Sequence, residues 1–106
     1  MADEIVILIT ASSRDEAGKL AKTLVDEHLA ACVNVLPAVE SYFFWEGKTQ
    51  SAQEILLICK SRMPLMEKLT ARVKTLHSYT VPEIIALPIV AGLPAYLSWV
   101  QDSTKG

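Results

Sequence analysis

The sequence predicts an α+β domain of the ferredoxin-like type, in which an antiparallel sheet carries helices on one face. Three observations support this prediction. Strand and helix patterns follow one another in the order β-α-β-β-α-β, with one further helical segment at the end. Proline occurs in the two predicted edge strands and in neither predicted central strand. The length of 106 residues suits a single domain over residues 1–106.

The first strand and the first helix have clear signatures. Glu4–Ile9 is apolar at nearly every position, which is typical of a strand that is covered on both faces. Ser13 and Glu16 have the spacing of a capping box, and apolar residues then recur at helical intervals. We therefore expect an amphipathic helix from Ser13 to about Ala30.

A long hairpin follows the first helix. Residues 31–48 are rich in β-branched and aromatic side chains, and Glu46-Gly47 is a turn candidate near their end. Glu54–Lys60 is a second run that is apolar on both faces. The two segments predict strands 2 and 3, joined as a hairpin.

The last part of the chain predicts a helix, a strand and a final helix. Pro64 suits the first turn of a helix, and apolar spacing carries that helix to about His77. Glu83–Ile89 is the fourth strand. Pro94 can begin a final helix that reaches about Asp102.

The prolines test the strand order. Proline has no N–H to donate to a sheet, so it belongs on edge strands or at bulges. Pro37 lies in predicted strand 2 and Pro88 in predicted strand 4. These positions agree with the sheet order 4-1-3-2 of the predicted fold, which places strands 1 and 3 in the centre.

One copy of the chain does not complete the predicted fold. Helices cover one sheet face only, yet strands 1 and 3 are apolar on both faces. The consecutive aromatic residues Tyr42–Trp45 also point alternately to both faces of the hairpin. The final helix is an alternative cover, but one short helix cannot span four strands and a long hairpin. We therefore expect the subunits to associate.

Composition excludes several classes of function. The net charge is -2, and without a basic stripe we expect no nucleic-acid partner. No apolar run approaches the length of a membrane span, and the acidic start is unlike a signal peptide. Cys32 and Cys59 form no C-x-x-C pair, which favours reduced thiols and a cytoplasmic location.

Five stretches together carry a family resemblance. They are AACVNVLP, SYFFWEGK, EILLICK, HSYTVPEII and YLSW, in that order between about Ile5 and Trp99. In combination they resemble the CutA family of divalent-cation tolerance proteins. The resemblance implies a ferredoxin-like fold, a homotrimer whose long hairpins wrap neighbouring subunits, and divalent metal ions as partners.

The chain departs from this family at the junction before strand 4. Family members commonly read His-Pro-Tyr where this chain reads His77-Ser78-Tyr79. Some bacterial members also have a cysteine near the end of strand 1 and two adjacent histidines at the junction. Ile9 and Leu76 occupy the corresponding places here. A copper site built from that cysteine and both histidines would lack two ligands in this chain.

The first functional hypothesis is a metal-responsive trimer. Its candidate ligands are His77, Cys32 and Glu83, which need not be close within one subunit. Thiolate and imidazole suit copper or zinc, and we expect at most a weak, exchangeable, copper-preferring site with His77 as its likeliest ligand. Too few Cys and His residues remain for a structural zinc site, and we expect no tightly bound cofactor. The alternative is that His77 only makes hydrogen bonds at the helix end while Glu83 pairs with a cation.

The second hypothesis is a regulatory trimer that binds a small molecule, similar in architecture to PII-type proteins. Tyr42, Lys48 and Tyr79 are candidates to line a cleft between subunits, together with His77 and Glu83. An enzyme is the least favoured class, because the sequence contains no nucleophile elbow, phosphate loop or Gly-rich dinucleotide loop.

Overall fold

The computed structural model describes residues 3–105, and it confirms the predicted order of elements. The elements are β1 (Glu4–Ala11), α1 (Arg14–Asp26), β2 (Cys32–Trp45), β3 (Lys48–Arg62), a 3-10 turn (Met63–Leu65), α2 (Met66–Leu76), β4 (Ile84–Pro88) and α3 (Pro94–Ser103). The sheet order is β2-β3-β1-β4 and all three pairings are antiparallel. This is the predicted 4-1-3-2 order, with the apolar strands in the centre.

The core lies between the sheet and the helices α1 and α2. Ile7 pairs with Cys59 on one side and with Ala86 on the other, and its side chain is fully buried. The other large core side chains are Ile5, Ile9, Leu20, Leu24, Leu29, Ile55, Leu57, Leu69 and Val73. Cys59 is fully buried in this core, and burial raises the pKa of its thiol to about 12.

The opposite sheet face is apolar and only partly covered. Ile85 and Leu87 of β4 are each 49% exposed. They pair with Leu8 and Val6 of β1, whose side chains alternate with the core positions. We call this side, which also carries Leu36, Leu56 and Ile58, the open face. Its composition agrees with the prediction that both faces of the central strands are apolar.

Helix α3 covers only one end of the open face. Arg62, at the end of β3, donates hydrogen bonds to Oγ1 and the carbonyl oxygen of Thr104. Val100 is the buried apolar residue of α3, while Trp99 remains 45% exposed. The alternative that this helix covers the whole second face is therefore not realised in the single chain.

No helix within residues 3–105 is long and apolar enough to cross a membrane.

Helix α1 ends at Asp26, about four residues before its predicted end near Ala30. His28 adopts a left-handed backbone conformation, with φ of 60°, which stops the helix. The N–H of Leu29 then donates to the carbonyl oxygen of Leu24 at 2.9 Å. The ring Nδ1 of His28 lies 3.2 Å from the Ser103 carbonyl oxygen, so the ring ties this helix end to α3.

The hairpin of β2 and β3 is longer than predicted. Strand β3 begins at Lys48 instead of Glu54, because polar residues continue the pairing beyond the apolar run. Glu46 and Gly47 both have positive φ, as a two-residue type I′ turn requires. Pro37 lies on an edge strand, as expected, at a bulge where the register shifts.

The distal hairpin, residues 39–54, projects beyond the rest of the sheet. The chain measures 44 × 25 × 23 Å along its principal axes, which reflects this extension. Tyr42, Phe44 and Trp45 are 69%, 74% and 58% exposed, and Phe43 is 39% exposed. A paired hairpin with aromatic side chains on both faces has too little core to be stable alone in water.

Candidate functional site

Polar groups from β1, α1, β3 and the α2–β4 connection meet at one end of the sheet. This cluster, which we call the junction, lies where β1 ends, α1 begins and α2 ends, beside the base of the distal hairpin. Its members are Thr10, Ser12, Glu16, Glu54, His77, Ser78 and Tyr79. The sequence places these residues far apart, and the sheet pairing and the two helix ends bring them together.

The Glu16 carboxylate organises the first half of the junction. It accepts hydrogen bonds from the N–H and the hydroxyl of Ser12, both at 2.9 Å, and from the N–H of Ser78 at 2.6 Å. Burial would raise the pKa of Glu16, but the hydrogen bonds from Ser12 and Ser78 outweigh it and lower the pKa to about 2. Glu16 is therefore a fixed anion that joins α1 to the α2–β4 connection.

Only half of the predicted capping box forms. The Ser13 hydroxyl accepts a hydrogen bond from the N–H of Glu16 at 3.1 Å, as an N-cap should. The Glu16 carboxylate does not return this bond to Ser13, because Ser12 and Ser78 hold it. The sequence spacing identified the cap and missed the longer-range partner.

His77 is held by both of its ring nitrogens. Nε2 donates to the Thr10 carbonyl oxygen at 2.7 Å, and Nδ1 accepts the N–H of Tyr79 at 3.0 Å. A carbonyl can only accept and a backbone N–H can only donate, so these bonds require the neutral tautomer with its proton on Nε2. The side chain is fully buried. Copper binding at Nδ1 would have to displace the Tyr79 N–H, and the geometry favours the hydrogen-bonding alternative for His77.

Tyr79 extends the junction to the distal hairpin. Its ring packs against that of His77 with centroids 4.8 Å apart, and its hydroxyl donates to the Glu54 carboxylate at 2.8 Å. Burial, followed by the hydrogen bond to Glu54, raises the pKa of Tyr79 to about 12. Glu54 is itself 9% exposed and pairs with Val39 just beyond the bulge. The base of the hairpin is thus connected to the end of α2.

The three predicted metal ligands do not meet within one chain. Cys32 pairs with Lys60, which in turn pairs with Val6, so Cys32 lies in the cross-strand row of Val6. His77 bonds to Thr10 and so lies in the cross-strand row of Thr10. Four residues of β1 separate these rows, a distance of about 13 Å. Glu83 is exposed just before β4, at the His77 end of the sheet. Among residues 3–105, no three Cys, His, Asp or Glu side chains are arranged to hold a metal ion.

The cleft candidates are also spread along the hairpin. Tyr42 donates its hydroxyl to Glu40 at 3.2 Å, and Lys48 pairs with Trp45 at the tip. Tyr79 lies at the base, about six strand residues or 20 Å from Lys48. Within one chain the three residues line no common cleft, and a shared site requires a second copy.

Sequence reasoning missed Glu16 and Glu54 as site residues. Glu16 was interpreted only as part of a cap, since its partner Ser78 is 62 positions away. Glu54 stands at the start of the apolar run of β3, where no local pattern indicates that its carboxylate is buried. The tyrosine at position 79 was the one available indication of a hydrogen-bonding partner at the hairpin base.

Comparison with known proteins identifies relatives along almost the whole chain. Residues 5–103 match the family model described as CutA1 divalent ion tolerance protein. The protein named Protein CutA, chloroplastic, from Arabidopsis thaliana is 50% identical over 95% of this chain. The chain spans 56% of the length of that plant relative.

Solved structures share the fold. The divalent cation tolerance protein Cut A1 from Thermus thermophilus superposes with a TM-score of 0.94 at 48% identity, covering 95% of this chain and 98% of the other. The structure of a protein named periplasmic divalent cation tolerance protein CutA, from Archaeoglobus fulgidus, gives a TM-score of 0.93 at 42% identity. The match covers 96% of this chain and 99% of the Archaeoglobus fulgidus chain. The family match over residues 5–103 extends from β1 to α3 and includes the long hairpin.

Proposed function

The chain belongs to the CutA1 divalent ion tolerance family, and on that premise we propose that it acts as a homotrimer in tolerance of divalent metal ions. The family match over residues 5–103 carries the proposal. The relatives are named as tolerance proteins, so the proposed role is in binding and response and involves no catalysis. Two free cysteines support a reducing, cytoplasmic location, although some relatives are named chloroplastic or periplasmic.

The open face and the distal hairpin support the assembly. Ile85 and Leu87 are half exposed on the open face, and Phe44 and Trp45 are more than half exposed at the hairpin tip. Phe44 and Trp45 are consecutive and point to opposite faces of the hairpin, so exposed apolar side chains lie on both hairpin faces as well as on the open face. Neighbouring copies packed against these surfaces would remove the apolar side chains from water. The number of copies, three, comes from the family resemblance.

The metal ion proposed for this trimer is a weak, exchangeable copper ion. Of the three candidate ligands, Cys32 is a partly exposed thiol and Glu83 an exposed carboxylate, while His77 already uses both ring nitrogens. Among divalent first-row metals, copper binds most tightly to a given set of protein ligands. A site that includes Cys32 and Glu83 needs residues from two subunits, because these residues lie at opposite ends of the sheet.

Isothermal titration of the assembled protein with copper tests this proposal. We expect weak binding in the parent, a clear loss in Cys32→Ser, and little change in His77→Ala once that variant is shown to be assembled. Glu83→Gln removes the charge of the proposed carboxylate ligand. Its matched control is Glu40→Gln, which changes an exposed acid of the hairpin. Unchanged binding in both Cys32→Ser and Glu83→Gln would place any copper site elsewhere.

A small-molecule role is the second candidate, and the junction favours it. Tyr79 and Glu54 lie at the hairpin base, where a neighbouring hairpin can bring Tyr42 or Lys48 against them. A thermal-shift panel of metals and nucleotides separates the two roles, since a ligand that binds the folded protein at free concentration L stabilises it by RT ln(1 + L/Kd). A nucleotide response that Tyr79→Phe abolishes would favour the PII-like role over the metal role.

A further inference from the structure

A buried carboxylate oxygen at the start of β1 has no partner. Glu4 is 6% exposed, and its Oε1 is the buried side-chain polar atom without a hydrogen bond among the residues that the structure describes. An unpaired carboxylate oxygen in such a place is unfavourable, because burial removes its hydrogen bonds to water and nothing replaces them. Such an oxygen calls for a bound positive partner or donor.

A second carboxylate lies beside it. The Nε2 of Gln101, on α3, lies 2.5 Å from Oδ1 of Asp3 and 2.6 Å from Oε2 of Glu4. Two carboxylates thus converge on one neutral amide group. Because like charges at short range disfavour each other, an amide alone does not balance them.

The nearest basic side chain is already engaged. Arg62 is the cross-strand partner of Glu4, so both side chains lie on the same sheet face. Its guanidinium instead donates to Thr104, from Nε at 2.9 Å and from Nη2 at 3.0 Å. These two bonds hold the end of α3, and they leave the pair of carboxylates without an ion-pair partner within 4.0 Å in the described chain.

We propose that Asp3 and Glu4 form a weak site for a hard divalent cation, calcium or magnesium, with the side chain of Gln101 as the third ligand. A half-turn of the amide about its last bond exchanges nitrogen for oxygen and presents Oε1 to the cation. Carboxylate and amide oxygens are the ligands that calcium and magnesium prefer, whereas copper prefers nitrogen and sulfur. The unpaired Oε1 of Glu4 becomes a ligand.

The site is expected to be weak and to act on α3. It has only two carboxylates, and the described residues offer no third Asp, Glu, His or Cys for it, so water completes the coordination. A cation here would join the first residues of β1 to α3. The proposal does not depend on the copper site.

Calcium and magnesium titrations test the proposal in the full chain. With a Kd of about 1 mM, 10 mM calcium chloride should lower the unfolding equilibrium constant about tenfold. Glu4→Gln and Asp3→Asn keep the side-chain sizes and should each abolish this response, while Glu67→Gln, at an exposed acid of α2, should retain it. Isothermal titration with calcium on the folded variants provides the second measurement.

Several results would overturn the proposal. They are no calcium or magnesium response in the parent, an equal response in Glu4→Gln, or a response lost equally in Glu67→Gln. If Glu4→Gln instead dissociates the subunits while calcium has no effect on the parent, the partner of Glu4 is a donor from a second copy, and the cation site does not exist.

Discussion

The Glu16 carboxylate should make the stability of this protein depend on pH in acid. Replacing Glu16 by Gln keeps the size of the side chain and removes its charge. It also replaces one accepting oxygen by an NH₂ group that faces the donors of Ser12 and Ser78. We expect the variant to be less stable than the parent at neutral pH, with α1 less firmly attached to the α2–β4 connection.

The magnitude follows from the pKa of Glu16. Its ordinary value of 4.5 is lowered to about 2 in the folded protein, which sets an upper limit of about 3 kcal/mol. The cluster is at the surface and some of the interaction is screened by water, so we expect about 1–2 kcal/mol. Because the folded pKa is the lower one, this stability is fully present above pH 4.5 and is lost as the pH falls towards 2.

Urea unfolding at a fixed protein concentration between pH 7 and pH 2.5 measures the effect. The difference between parent and Glu16→Gln should be constant above pH 5 and shrink steadily below pH 4.5. Asp15→Asn is the matched control, since this neighbouring acid is exposed in the same first turn of α1. A difference that does not change between pH 7 and pH 2.5 would refute the assignment of Glu16 as a fixed, hydrogen-bonded anion.

Three further predictions concern assembly, backbone strain and the hairpin base. Light scattering should give about three times the chain mass of 11.6 kDa, and a monomeric parent would contradict this prediction. The thermal unfolding midpoint should rise with protein concentration. Phe44→Ala should shift the equilibrium towards monomer. Ala38→Gly should stabilise by about 1 kcal/mol in urea unfolding because Ala38 has φ of 63°, whereas Ala52→Gly in a regular strand should destabilise. Tyr79→Phe should cost about 1–3 kcal/mol, since it leaves the buried Glu54 carboxylate without its donor, and an unchanged stability would exclude that bond.

Strand positions were predictable because local patterns determine them. The apolar runs of β1 and β3 require cover on both sides, and Pro37 and Pro88 exclude central positions for their strands. The Glu46-Gly47 turn followed from its glycine. These features depend on a few neighbouring residues, so the sequence reports them directly.

Two backbone conformations were not predictable from local patterns, and they changed where α1 ends and how the hairpin strands pair. His28 and Ala38 adopt left-handed backbone conformations without being glycine, and neither position carries a local sequence signal for it. His28 ends α1 early, and Ala38 forms the bulge that changes the hairpin register. Contacts made elsewhere in the fold, such as the ring of His28 with Ser103, hold at least one of these conformations in place.

The junction shows why a residue type alone did not identify its role. His77 follows a helix and precedes a strand, and an imidazole in that place is equally suited to bind copper or to support the turn. The choice depends on which atoms face its nitrogens, and those atoms belong to Thr10, 67 positions away, and to the N–H of Tyr79. With both nitrogens bonded, His77 fixes Tyr79, and Tyr79 in turn holds Glu54 at the base of the hairpin. In this chain His77 therefore supports the base of the hairpin, through which subunits are proposed to meet. If replacing His77 changed copper binding, the change would arise because the replacement disturbs assembly.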